Sequence, residues 1–183
     1  MSFSLNESEK SMLLRTARES IESRLAGRSP QYGEPTDNIM EPCGAFVTLR
    51  IQEDLRGCIG HIIARTPLFE AIQELARSSA FQDPRFPPLS QDELSGVDIE
   101  ISVLTPLRAI DSPEEVKVGV HGVYIELEGR SGVLLPQVPL EQGWGREQFL
   151  RHLCLKAGLH SDCISDPRRR LFVFEAIIFG EKE

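Results

Sequence analysis

The chain has no apolar run approaching the ~18 residues that a membrane-spanning helix needs. Its first ten residues, MSFSLNESEK, lack the basic-then-apolar order of a secretory signal. Positive charge is also short: 20 Lys and Arg stand against 28 Asp and Glu, a net charge of −8. Nucleic-acid phosphates must be neutralised by Lys and Arg, so this balance and the low aromatic content of 7% argue against RNA or DNA as partner. The one dense basic run, Arg168-Arg169-Arg170, is flanked by Asp166 and is expected to form a solvated turn. Four cysteines (Cys43, Cys58, Cys154, Cys163) are widely separated, and neither they nor the four histidines show ligand spacing, so no metal and no cofactor is expected. Without a signal sequence, reduced thiols in the cytoplasm are the expectation.

What is present reads as alternating elements. Residues 8–25 place Leu13, Leu14, Ala17, Ile21 and Leu25 at helical spacing. From 26 to 42 the periodicity stops among Gly27, Pro30, Gly33, Pro35 and Pro42. A segment this long is a lid, a binding loop or disordered; packing over something is favoured here. Residues 44–51 and 55–63 form an expected antiparallel hairpin. Thr66-Pro67 then opens a helix, with Thr66 as cap and a face of Leu68, Ile72, Leu75, Ala76 and Ser79 to cover that hairpin. Asp83-Pro84-Arg85-Phe86-Pro87-Pro88 is a stiff turn. Residues 97–104 alternate as a half-buried strand, 122–127 and 132–138 form a second hairpin, and 145–157 form a helix. The apolar stretch 171–179 is expected as one strand inside a sheet. Hairpins interrupted by helices, without βαβ regularity, give an α+β class.

The unusual chemistry lies in Leu55-Arg56-Gly57-Cys58-Ile59-Gly60-His61. Two glycines within a strand suggest a bulge or a close approach by a ligand or another backbone. In an unbroken strand Arg56 and Cys58 share a face, and a cation two residues away favours a nucleophilic sulfur. A bulge near Gly60 would swing His61 onto that face and pair it with Cys58. Against this stands the tendency of a free strand cysteine simply to pack. His121, before Gly122, is expected as a hydrogen-bonded turn residue unless folding makes it a base. Arg85 in its proline turn is able to clamp a carboxylate or phosphate, or to bond Asp83. Glu100 lies on the polar face of its strand, and Gln137, between Pro136 and Pro139, is placed to face a cleft.

The stretches Gly44-Ala-Phe-Val-Thr-Leu49, Leu55-Arg-Gly-Cys-Ile-Gly60, Asp83-Pro-Arg-Phe86, Ile99-Glu-Ile-Ser-Val-Leu-Thr105, His121-Gly122, Leu134-Leu-Pro-Gln137 and Lys156-Ala-Gly-Leu159 run in order along nearly the whole chain. In these the chain resembles the AMMECR-domain family, whose bacterial members are called AmmeMemoRadiSam system protein A. One departure is Cys163, in a neighbourhood where the family usually has tryptophan. The resemblance implies one domain over 1–183, built as two dissimilar α+β lobes on mainly antiparallel sheets sharing an interface. It also implies association with a Memo-like protein and a radical-SAM protein, and it supplies no activity.

Three functions compete. The first is a binding or regulatory module with an inter-lobe pocket around the 55–61 stretch, using Arg56, Gly57, Cys58, Gly60, Arg85, Glu100 and Gln137 towards a protein partner or a small ligand. The second is a thiol-dependent enzyme with Cys58 as nucleophile and His61 or His121 as base. RNA binding stands third.

Overall fold

The computed structural model describes residues 3–182, which divide into two compact units. One comprises the residues up to Leu104 together with those from Ile177 on; the other is Thr105–Ala176. The class is α+β, with two separate four-stranded sheets.

In the first unit, α1 (Glu7–Leu25) starts on a capping box that the apolar pattern does not reveal. The Asn6 side chain accepts from the Glu9 amide at 2.9 Å, and the Glu9 carboxylate accepts from the Asn6 amide at 3.0 Å. Residues 26–42 pack as a strap. Glu19 accepts from both terminal nitrogens of Arg28, at 2.5 and 2.8 Å, and from the Gln31 amide at 2.7 Å. Thr36 and Asn38 donate to the carboxylate of Glu9, while the Tyr32 ring meets Phe69 edge-on at 6.0 Å. Polar tethers of this kind carry no hydrophobic period, which is why the segment reads as irregular.

The sheet of this unit has the order β2-β1-β3-β8. The hairpin β1 (Gly44–Ile51) and β2 (Asp54–His61) is joined by β3 (Val97–Leu104) and β8 (Ala176–Gly180). Ala45, Val47, Leu49, Ile99, Ile101 and Val103 are all buried on the face covered by α1 and by α2 (Leu68–Phe81). Each fully buried aliphatic side chain contributes ~1.5–3 kcal/mol. Thr66 does not cap α2; Pro67 occupies that position without a side-chain bond. The Leu68 amide is satisfied instead by the Glu41 carbonyl at 3.2 Å, so the strap supplies the cap.

The second unit holds the order β4-β7-β5-β6, from β4 (Arg108–Ile110), β5 (Gly122–Leu127), β6 (Arg130–Leu134) and β7 (Arg170–Phe174), all antiparallel neighbours. β6 ends four residues before the expected limit of 138, because Pro136 and Pro139 cannot donate to a ladder; α3 (Val138–Gln142) follows. The helix α4 (Arg146–Lys156) buries Phe149, Leu150, Leu153 and Cys154, as its spacing predicts.

Two further expectations are corrected. The stretch 171–179 is two strands rather than one: β7 lies inside the second sheet, exposed Glu175 breaks the run, and β8 is an edge of the first. The cysteines are not all reduced. Cys154 and Cys163 form a disulfide with Cα atoms 5.8 Å apart, leaving Cys43 and Cys58 as free thiols. Nothing in a nine-residue separation without a motif announces that pairing.

Candidate functional site

Strand β2 is an edge strand, and its outer side is occupied by the end of α2 and the turn after it. The register sets this up. Leu49 pairs with Gly57 and Arg50 with Leu55, which leaves Arg56 as the extra residue of a bulge. From Gly57 to His61 the pairing is unbroken, so the expected bulge at Gly60 does not exist. Cys58 and His61 therefore point to opposite faces, and the Cys–His pair is not formed. Arg56 is likewise drawn away from the thiol. Its guanidinium bonds Glu93 at 2.7 and 3.1 Å and the Pro87 carbonyl at 3.0 Å. The Arg56 guanidinium, aided by the Ser90 amide and hydroxyl, lowers the Glu93 carboxyl to about 2.

Gly57 is needed because helix α2 comes very close. A Cβ there would sit 2.1 Å from the Ser79 carbonyl oxygen, a backbone atom that cannot step aside. The approach lets the Ser79 hydroxyl enter the β1–β2 ladder. It accepts from the Ile59 amide at 2.9 Å and donates to the Val47 carbonyl at 2.7 Å, between two residues that pair across the strands. Gly60 serves the opposite face, where the Phe46 ring lies 2.2 Å from the site of a Cβ.

The edge is closed at Cys58. Its amide donates to Asp83 at 2.9 Å, and its carbonyl accepts from Arg85 at 3.2 Å. Buried Asp83 also accepts from the Arg85 amide and, bidentately, from the Arg85 guanidinium at 3.0 and 2.7 Å. That guanidinium, more than any other contact, holds the Asp83 carboxyl far below the usual carboxylate range, against the opposing effect of burial. With both its amide and carbonyl turned outwards, Cys58 forms the close, non-hydrogen-bonded kind of pair with Thr48, and its Sγ lies 3.1 Å from the Thr48 hydroxyl. Thr48 in turn pairs with Glu100, so the three side chains form one row across the sheet. Arg85 packs over the Phe86 ring at 5.5 Å, yet its side chain stays 54% exposed. It is a fixed cation with a free flank.

The structure thus brings Cys58 and Arg85 together, places Glu100 in the same cross-strand row, and commits Arg56 to Glu93. His61 is half-buried, with Nε2 enclosed and without a partner among the described residues. In the second unit His121 is buried, and its Nδ1 accepts from the Lys117 amide at 3.2 Å. Burial pushes its imidazole below the ordinary range. Gln137 is exposed at the start of α3, and its side chain makes no capping bond. Asp83, Ser79, Glu93 and Thr48 escaped the sequence argument as site residues. The Asp-Pro-Arg-Phe turn was the signal available for Asp83. Among the described residues no three His, Cys, Asp or Glu side chains gather in a way that could hold a metal ion, and no helix is long and apolar enough to cross a membrane.

Comparison with known proteins agrees with this architecture. The AMMECR1 family model matches residues 14–179. Protein NEQ441 of Nanoarchaeum equitans is 41% identical over 177 residues, covering 92% of this chain and 98% of that one. Protein MK0488 of Methanopyrus kandleri is 44% identical over 185 residues, covering 96% and 89%. The crystal structure of the uncharacterized protein PH0010 from Pyrococcus horikoshii superposes with a TM-score of 0.79 at 39% identity, covering 97% of this chain and 94% of that one. The chain belongs to the AMMECR1 family.

Proposed function

We propose that this protein is a binding module rather than a thiol enzyme, and that its contact surface is the β2 edge around Cys58 and Arg85. The observation that carries the proposal is the engagement of Asp83, Arg85 and Arg56 in holding that edge. Asp83 is saturated by four donors, Arg56 is taken by Glu93, and the thiol faces a hydroxyl instead of a base. A nucleophilic site requires a base or a cation aimed at the sulfur. A recognition surface requires a rigid frame with one exposed, preoriented group, and Arg85 meets that description. Its free flank suits a carboxylate presented by another protein or by a small anionic ligand.

The partners we propose are a Memo-like protein and a radical-SAM protein, and the compartment is the cytoplasm. RNA as partner has less support. Arg168 bonds Asp166 and Glu128, and Arg170 bonds Glu126, so two of the three cations of the basic run are already paired with carboxylates.

Titration calorimetry of the purified chain against each of the two proposed partner proteins tests this reading. Binding to at least one is expected. Arg85→Ala is expected to weaken it at least tenfold, whereas Cys58→Ser leaves it within about twofold. Absence of binding to both partners, or equal loss in the two variants, would overturn the assignment.

A further inference from the structure

The first sheet has two edges, and they are treated differently. At β2, Cys58 spends its outward amide and carbonyl on Asp83 and Arg85. At β8 nothing comparable occurs. The Glu181 amide donates to the Ile99 carbonyl at 3.0 Å, which fixes the phase of the strand: odd-numbered residues face β3, and Ile178 and Gly180 turn their amides and carbonyls outwards. Among the described residues, neither Ile178 nor Gly180 has a hydrogen-bond partner outside the sheet. The side chains follow the same alternation. Ile177 and Phe179 pack against the core, while Ile178 stands 53% exposed.

Beside this edge lies an open groove of about 1140 Å³, lined by residues 178–182 together with Arg50, Glu53 and Glu100. Glu100 has no ion-pair partner among the described residues, and Gly180, beside it on β8, puts no side chain between Glu100 and the edge. An unguarded edge with a β-branched side chain is a template for a further strand. A second copy of the chain fits it poorly. Antiparallel self-pairing centred on Ile178 would set Ala176 opposite Gly180 and bring no cation towards Glu100, and Glu181 is already taken by Arg18.

We propose that β8 is a docking edge for an extended, basic segment of a partner protein, which adds as a fifth strand with a cation opposite Gly180 reaching towards Glu100. This surface is distinct from the Cys58 edge and does not depend on the function assigned there. The recognition is by backbone ladder plus charge, so the segment needs alternating β-branched and basic residues rather than one fixed sequence.

The probe is acetyl-Val-Lys-Val-Lys-Val-Lys-amide, titrated into the full-length isotope-labelled chain, with acetyl-Val-Glu-Val-Glu-Val-Glu-amide as the charge-reversed control. Amide shifts concentrated on residues 176–182 and at least fivefold slower hydrogen exchange at Ile178 and Gly180 are expected with the basic peptide only. Ile178→Pro deletes the outward donor of an edge strand, where proline is tolerated, and is expected to abolish both effects. Should that variant fail to fold, Ile178→Lys keeps the backbone and is expected to weaken the basic peptide at least fivefold. No shift at β8 at millimolar peptide, equal response to both peptides, or slowing that tracks protein concentration without peptide would overturn the proposal; the last result would identify a second copy as the occupant.

Discussion

Asp83 and Gly57 control the geometry of the Cys58 edge by opposite means, one by charge and one by the absence of a side chain. Asp83 is 3% exposed and receives only donors. Asp83→Asn keeps the shape but turns one acceptor into a donor facing other donors, and it strips Arg85 of its counter-charge. A loss of about 3 kcal/mol is expected from urea denaturation. Gly57→Ala places a methyl group 2.1 Å from the Ser79 carbonyl oxygen, so α2 or β2 must shift. Overpacking of this sort costs ~1–3 kcal/mol, whereas alanine at an unobstructed strand glycine would be favourable. A midpoint at or above wild type would show that the contact yields freely. Gly57 was legible in the sequence as a place of close approach, because only glycine tolerates one there. Which atom approaches was not, since Ser79 is 22 positions away and reads only as one more residue on a helix face. The roles of Arg56 and Asp83 were hidden for the same reason: a bulge four residues earlier than expected redirects the guanidinium, and no local pattern specifies where a bulge falls.

At the scale of elements, two carboxylates tie irregular segments to regular ones. Glu19 on α1 holds the strap through Arg28, and Glu93 anchors the turn after Pro88 through Arg56; in each case the guanidinium is the main reason the carboxyl is lowered to about 2. Their unfolded values lie near 4.3. A carboxyl depressed on folding stabilises the fold above its unfolded value, and that contribution disappears as pH falls through the folded one. Urea midpoints should therefore decline as pH drops from about 4.5 towards 2, and Glu19→Gln should flatten part of that decline. An unchanged slope in the variant would mean that the strap does not titrate with the fold. Elements with strong periodicity, such as α1, β3 and α4, were legible to within a residue or two. The strap was not, because its order rests on polar tethers to α1. Nor was the division of 171–179, where continuous apolar residues conceal a change of sheet at Glu175.

For the molecule as a whole, the covalent link lies in one unit and the free thiols in the other. The Cys154–Cys163 disulfide closes a loop of sequence separation nine, for which chain entropy gives about 2.5 kcal/mol. Cys163→Ser, or reduction by a dithiol, should lower stability by roughly that amount. The transition should remain cooperative in the unit that holds Cys43 and Cys58; identical urea curves for oxidised and reduced protein would show that the link adds nothing.

The central claim is that the Cys58 edge is held for contact and that its sulfur is not activated. The direct measurement is the rate of iodoacetamide modification at Cys58 in the folded chain relative to the same chain in urea, followed by mass mapping. Cys43, 1% exposed and with its thiol pushed up to about 11 by burial, serves as the protected reference within the same sample. Folding is expected to slow modification of Cys58, because the half-buried thiol sits on a strand held by the Asp83–Arg85 turn and its sulfur lies against the Thr48 hydroxyl rather than a base. Modification faster in the folded chain than in the unfolded one would contradict it and return Cys58 to the role of nucleophile.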